Sequence, residues 1–245
     1  DLKNIIKDPI KLCEWCDGNL ISSDEKRMNN GEVFTPSKII YQMFEPTQHL
    51  IKLKRIKDPF HINMKVLDIG GGRGNGAAIL YEKIFNHEIF IDTFPDEEER
   101  RTYILKNNLY ISELDIGNIS TLKDIFGKDN ENIIEGDAIG KDEKGSLYST
   151  KDPKQFNLYK YFNEKNIHFD IIYMNPPYQK PNKKNPGVFN GGIFYLHFIR
   201  LAIELLKPDG LLYTIHPPTW KKYGTERSAA DIKWFIKDNT IVYLN

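Results

Sequence analysis

Val66-Leu67-Asp68-Ile69-Gly70-Gly71-Gly72-Arg73-Gly74-Asn75-Gly76 is a short apolar run that breaks into a cluster of glycines. An apolar run of this length ending in glycine predicts a buried strand and a tight turn. Ala77, Leu80 and Ile84 then recur at helical spacing, so the turn feeds a helix. The same alternation repeats outward from this unit. Residues 109–112, Ile133-Ile134, residues 170–174 and residues 211–215 read as further strands. Residues 116–126 read as a helix. So does the stripe Leu196, Ile199, Ile203 and Leu206, closed by Pro208 and Gly210. A helix over 232–237 and a strand over 241–244 end the pattern. Strands alternating with helices imply βαβ units, hence an α/β, Rossmann-like fold with a mostly parallel sheet and helices on both faces. Two segments break the rhythm: an acidic insertion over 86–108, and a polar loop over 139–168 containing Gly140, Gly145 and Pro153. Residues 1–30 read as a helical lead-in.

The chain has 245 residues, 40% hydrophobic and 28% charged, enough for one α/β domain with a full core. No apolar run approaches the length of a membrane span, and Asp1 opens no signal-peptide pattern. Two cysteines argue against a disulfide framework and fit a reducing cytoplasm. Cys13-Glu14-Trp15-Cys16 lacks the second pair of ligands a zinc site needs, so no metal is expected. Because the chain starts without Met, it reads as a fragment or a trimmed product. The formal net charge is zero, but its distribution is uneven. No Asp or Glu occurs from residue 171 to residue 203, while Lys180, Lys183, Lys184 and Arg200 fall there and Lys221 and Lys222 follow. These five lysines are candidate phosphate contacts on a basic rim, or a solvated charged face.

In parallel sheets, ligands bind at the carboxyl ends of the strands, so the residues just after each strand carry the chemistry. Gly70, Gly71 and Gly72 let the backbone approach a ligand closely. Their spacing alone would also fit a dinucleotide turn. Asp68 decides against that reading, because an anion there repels pyrophosphate and suits the cationic methionine end of S-adenosyl-L-methionine. Glu113, ending the second strand, is placed to accept hydrogen bonds from ribose hydroxyls. Asp115, two residues on, better fits a helix N-cap. Asp137 and Ala138 follow the third strand. A carboxylate there can accept from an adenine amino group, although turns favour Gly-Asp for its own sake.

Asn175-Pro176-Pro177-Tyr178 follows the fourth strand. Two prolines hold the backbone extended and remove two N–H donors, so the Pro176 carbonyl is aimed rigidly. The Asn175 side-chain carbonyl is a second acceptor. Together they can take both hydrogens of an –NH₂ group and draw its lone pair toward a methyl donor. Tyr178 offers an aromatic face to a flat base. Any planar amide or amino nitrogen meets these demands.

On these residues the chain resembles the N6-adenine DNA methyltransferases of restriction–modification systems, in the group whose cofactor motifs precede the catalytic motif. Gly31-Glu32-Val33-Phe34-Thr35-Pro36 is similar to the segment that group places ahead of the glycine loop, where Thr35 and Pro36 would touch the methionine part of the cofactor. Residues 108–115, residues 169–174, Leu206-Lys207-Pro208-Asp209-Gly210 and Ile215-His216-Pro217 resemble the family's later elements. The resemblance implies a class I S-adenosylmethionine-dependent methyltransferase domain over 31–245. It also implies that the chain stops before a last strand and a target-recognition domain, so that a C-terminal domain or a specificity subunit would supply sequence recognition. The glycine loop departs from the family's Pro-Ala-Cys-Gly-Ser-Gly, which implies a looser loop, and Ala138 stands where a bulkier residue is usual. The implied reaction is methyl transfer to adenine N6 in DNA by base flipping. The rival activities are methylation of adenine in RNA or of protein glutamine, and a non-catalytic module that binds DNA or a partner.

Overall fold

A computed structural model describes residues 5–19, 35–178, 180–181, 189–190, 194–217 and 239–241, with only the backbone for 180–181 and 189–190. In chain order the elements are α1 (Pro9–Asn19), α2 (Ser37–Lys52), β1 (Val66–Ile69), α3 (Asn75–Phe85), α4 (Glu88–Thr93), α5 (Glu97–Asn107), β2 (Leu109–Glu113), α6 (Ile116–Phe126), β3 (Ile133–Glu135), α7 (Asn157–Glu164), β4 (Phe169–Met174), β5 (Lys180–Pro181), β6 (Phe189–Asn190), α8 (Tyr195–Leu205) and β7 (Leu206–Thr214). The main sheet runs β3-β2-β1-β4-β7, and every pairing in it is parallel. β5 and β6 form a separate antiparallel pair.

Side chains alternate across a strand, and the two faces of the sheet carry two cores. Val66, Leu109, Ile111, Ile171 and Tyr173 face the layer built by α1, α2, α3, α5 and α6. Leu67, Ile69, Tyr110, Ile172 and Met174 face α7 and α8. Strands buried on both faces explain why β1 and β4 read as continuous apolar runs. Among the described residues no helix is long and apolar enough to cross a membrane.

The acidic insertion folds as two helices, α4 and α5. Asp96 caps α5 by accepting from the Glu99 amide at 2.8 Å, and Glu97, Glu98 and Glu99 sit in its first turn, where the helix dipole favours anions. The lead-in also belongs to the packed structure. Leu12, Cys13 and Cys16 are buried against α3 in the first core. Burial pushes the Cys13 thiol up to about 12, so it stays protonated.

Two expectations change. The polar loop over 139–168 contains α7, an eight-residue helix that buries Leu158 and Phe162 one turn apart. Phe162 lies edge-on to Phe169 at 4.8 Å and to Tyr110 at 5.9 Å. Pro208 and Gly210 do not close a helix. The chain passes at Leu206 from α8 straight into β7, with a register shift opposite Phe169 and Ile171 and with Asp209 at φ 64°. Pro208 is tolerated because β7 is the edge strand among the described residues. The helix expected over 232–237 lies outside the described residues, as does the strand expected over 241–244 except for Ile241, which is not in a strand.

Candidate active site

The turns after β1, β2, β3 and β4 open on the same edge of the sheet, because these neighbouring strands run parallel. β1 and β4 are in register through Asp68–Tyr173 and Ile69–Met174. The glycine turn and Asn175-Pro176-Pro177-Tyr178 therefore leave adjacent strands side by side.

The glycine turn is held by hydrogen bonds. Gly70 and Gly71 donate their N–H groups to the Ser112 carbonyl at 2.9 and 3.0 Å, and Gly74 donates to Gly71. Gly72 donates to Glu113 Oε2 at 2.7 Å. Gly76 has a packing reason. A methyl group there would overlap the Tyr173 ring and sit 2.6 Å from Asp68 Oδ2. The buried Tyr173 ring thus occupies the space beside the loop.

Asp68 is 1% exposed. Burial and the neighbouring Glu113 push its carboxyl up from 3.8 to about 8, and a hydrogen bond from the Ala77 amide offsets only part of this. Its Oδ2 atom is buried and has no hydrogen-bond partner among the described residues. Glu113 accepts from Leu114 and Asp115 amides at 2.9 and 2.8 Å through Oε1. Asp115 caps α6 by accepting from the Asn118 amide, as expected. Asp137 is half-buried after β3 and accepts from the Ile139 amide at 3.0 Å, while Ala138 packs on the second core.

Asn175 donates through Nδ2 to Thr35 Oγ1 at 2.7 Å and accepts at Oδ1 from the Tyr178 hydroxyl at 3.1 Å. Burial, with a contribution from Asp68, raises the pKa of the Tyr173 phenol. Thr35 is buried, and Pro36 is exposed at the N-cap of α2. Pro176 is buried; Pro177 and Tyr178 are half-buried. Thr35, Asp68, Glu113, Asn175 and Tyr178 are thus brought to one end of the sheet. Lys183, Lys184, Lys221 and Lys222 lie outside the described residues, as does the side chain of Lys180 and the segment Gly31-Glu32-Val33-Phe34.

Two residues of this region escaped the reading of the sequence. Tyr173 looked like strand filler, yet its ring packs against the glycine turn at Gly76. Asp17 on α1 accepts from the Ser37 amide and hydroxyl at 2.9 Å each and from Asn75 Nδ2 at 3.4 Å. It fastens the start of α2 to the start of α3. No local pattern signals a contact between residues 20 and 58 positions apart.

A five-stranded parallel sheet in this order, with a glycine turn after β1 and an acid ending β2, is the class I methyltransferase fold. Residues 94–244 match the Eco57I restriction-modification methylase family, and the chain belongs to that family. The match spans β2, β3 and β4 with the turns that follow them. No curated relative matches the chain. Among solved structures, DrdV in a complex with DNA is 16% identical, with 88% of this chain and 23% of that one covered at a TM-score of 0.49. A modification subunit of a putative type I restriction enzyme from Vibrio vulnificus YJ016 is 13% identical, with 95% and 43% covered at 0.49. A putative RNA methyltransferase from Pyrococcus horikoshii is 15% identical, with 93% and 78% covered at 0.42. The chain spans less than a quarter of the DrdV chain.

Proposed function

We propose that the chain transfers a methyl group from S-adenosyl-L-methionine to the N6 amino group of adenine in DNA. The observation that carries this reading is the placement of Asn175 at the carboxyl end of β4, one strand from the Asp68 turn, with its amide held at both ends. A restriction-modification methylase family supports DNA as the substrate.

The residues fit the cofactor. Asp68 Oδ2 is a buried acceptor that lacks a partner among the described residues, which a cationic donor would satisfy. Glu113 carries two oxygens with about four lone-pair sites, so it can hold the loop amides and accept from a ribose hydroxyl as well. Asp137 and Ala138 would border the adenine, and Thr35 with Pro36 the methionine end. The bound cofactor would supply an electrophilic methyl group on a positively charged sulfur.

The chain's own residues then do the positioning. A duplex hides the adenine amino group, so the nucleotide must leave the stack, at about a few kcal/mol. Tyr178 stacks on the extruded base. Asn175 Oδ1 and the Pro176 carbonyl accept the two amino hydrogens and turn the nitrogen lone pair toward the methyl group. Catalysis is chiefly by orientation. Lys180, Lys183, Lys184, Lys221 and Lys222 would hold phosphates, which fixes register but carries no sequence information directly. Sequence choice would come from a further domain or a specificity subunit.

The test is methyl transfer from labelled cofactor to defined DNA duplexes, RNA and protein, with nucleosides and amino acids resolved by mass spectrometry. N6-methyladenine in DNA, lost in Asn175→Ala, is the expected result. Label confined to RNA or to glutamine would overturn it.

A further inference from the structure

We propose that Thr35 is a positioning residue for methyl transfer: its hydroxyl holds the NH₂ end of the Asn175 carboxamide, which leaves the carbonyl end for the target amino group. The inference rests on the catalytic role of Asn175 given above, and it assigns Thr35 a task beyond the cofactor contact implied by resemblance.

The two ends of a carboxamide have nearly the same shape and opposite chemistry. The oxygen accepts; the nitrogen only donates. An –NH₂ group presenting its hydrogens must meet the oxygen. A reversed amide would oppose donor to donor, forfeiting one of the two acceptors that orient the target. Packing alone cannot choose between the two orientations, and hydrogen bonds hold the amide once it is placed. Thr35 Oγ1 lies 2.7 Å from Asn175 Nδ2, in a part-buried setting. The Tyr178 hydroxyl lies 3.1 Å from Asn175 Oδ1, so each end of the amide has a hydrogen-bond partner.

A threonine hydroxyl has one proton and two lone pairs, so Thr35 takes the Asn175 amide N–H through a lone pair. Thr35 is itself fixed from its C-terminal side, where Asp17 takes both the amide and the hydroxyl of Ser37.

The test compares Thr35→Val, which keeps the shape and removes the hydroxyl, with Thr35→Ser, which restores it. In the ¹⁵N-labelled chain, the Asn175 side-chain amide is assigned by its disappearance in Asn175→Ala. Thr35→Val should shift that resonance pair and speed its hydrogen exchange by about tenfold or more, with Thr35→Ser close to the parent. Single-turnover transfer at saturating cofactor should fall by about tenfold or more in Thr35→Val and recover in Thr35→Ser. Cofactor affinity should move far less than the rate. An unchanged Asn175 amide in Thr35→Val overturns the proposal, as does a normal rate at saturating cofactor with affinity alone reduced. A parent chain that transfers nothing to adenine would sink the adenine reading, while the amide resonances would still decide what Thr35 does.

Discussion

Replacing Asp68 by Asn should stabilise the cofactor-free chain in a pH-dependent way while weakening cofactor binding. Burial and Glu113 raise this carboxyl from 3.8 to about 8 in the folded chain. A folded-state pKa above the unfolded one means that the full contribution to stability is present below about pH 4 and is lost as the pH rises toward 8. At about 1.4 kcal/mol per pKa unit, the raised pKa of Asp68 costs at most about 6 kcal/mol at about pH 9 and about 2 kcal/mol at about pH 5. Water entering the turn lowers both figures. Asn keeps an oxygen for the Ala77 amide but never ionises. It leaves a buried N–H group unpaired, a roughly constant cost of about 1–3 kcal/mol. The stability of Asp68→Asn relative to the parent chain should therefore rise by about 2–4 kcal/mol between about pH 5 and pH 8, then level off. Urea midpoints at about pH 5, 7 and 9 measure it, because the other titrating groups largely cancel in the difference. Calorimetry on the same proteins should show cofactor affinity reduced by about 10- to 100-fold, the value of a charged hydrogen bond. A stability difference that does not change with pH would refute the assignment of Asp68 as a strained carboxylate.

Asn175→Ala should leave cofactor affinity within about threefold and abolish detectable transfer, as read by calorimetry and labelled methyl incorporation. Tyr178→Ala should be milder, raising the KM for DNA by the loss of a stacking contact worth about 1–3 kcal/mol. Gly76→Ala should destabilise the chain by about 1–3 kcal/mol, because a methyl group there overlaps the Tyr173 ring and approaches Asp68. Thermal melts check that figure, and a melting temperature equal to the parent's would show that α3 shifts away freely.

The strands of the main sheet and the helices α3, α6 and α8 were legible because each depends on local periodicity, while α2, α4 and α5 were not read as helices. Val66–Ile69 and Ile116–Phe126 coincide with what their apolar spacing predicts. α7 was not legible, since only Leu158 and Phe162 mark its inner face within a strongly polar segment. The break at Leu206 was misread because Pro-Asp-Gly ends helices as readily as it bulges an edge strand. In the site, residues that follow strands announced themselves by chemical type. The contacts that hold them did not: nothing near Thr35 in sequence points to an amide 140 positions away.

The Asp17 carboxylate gives the first thirty residues a genetic consequence. One side chain on α1 ties Ser37, two positions from Thr35, to Asn75 at the mouth of the glycine turn. Substitutions in α1 should therefore show epistasis with substitutions in both motifs, although α1 contains neither. In a mutational scan, Asp17 would score with the motif residues, and its tolerance would change when Ser37 or Asn75 is altered. A family comparison confined to residues 94–244 passes over all three partners. Natural variation at positions 17, 37 and 75 should then travel as a set, inherited or lost together.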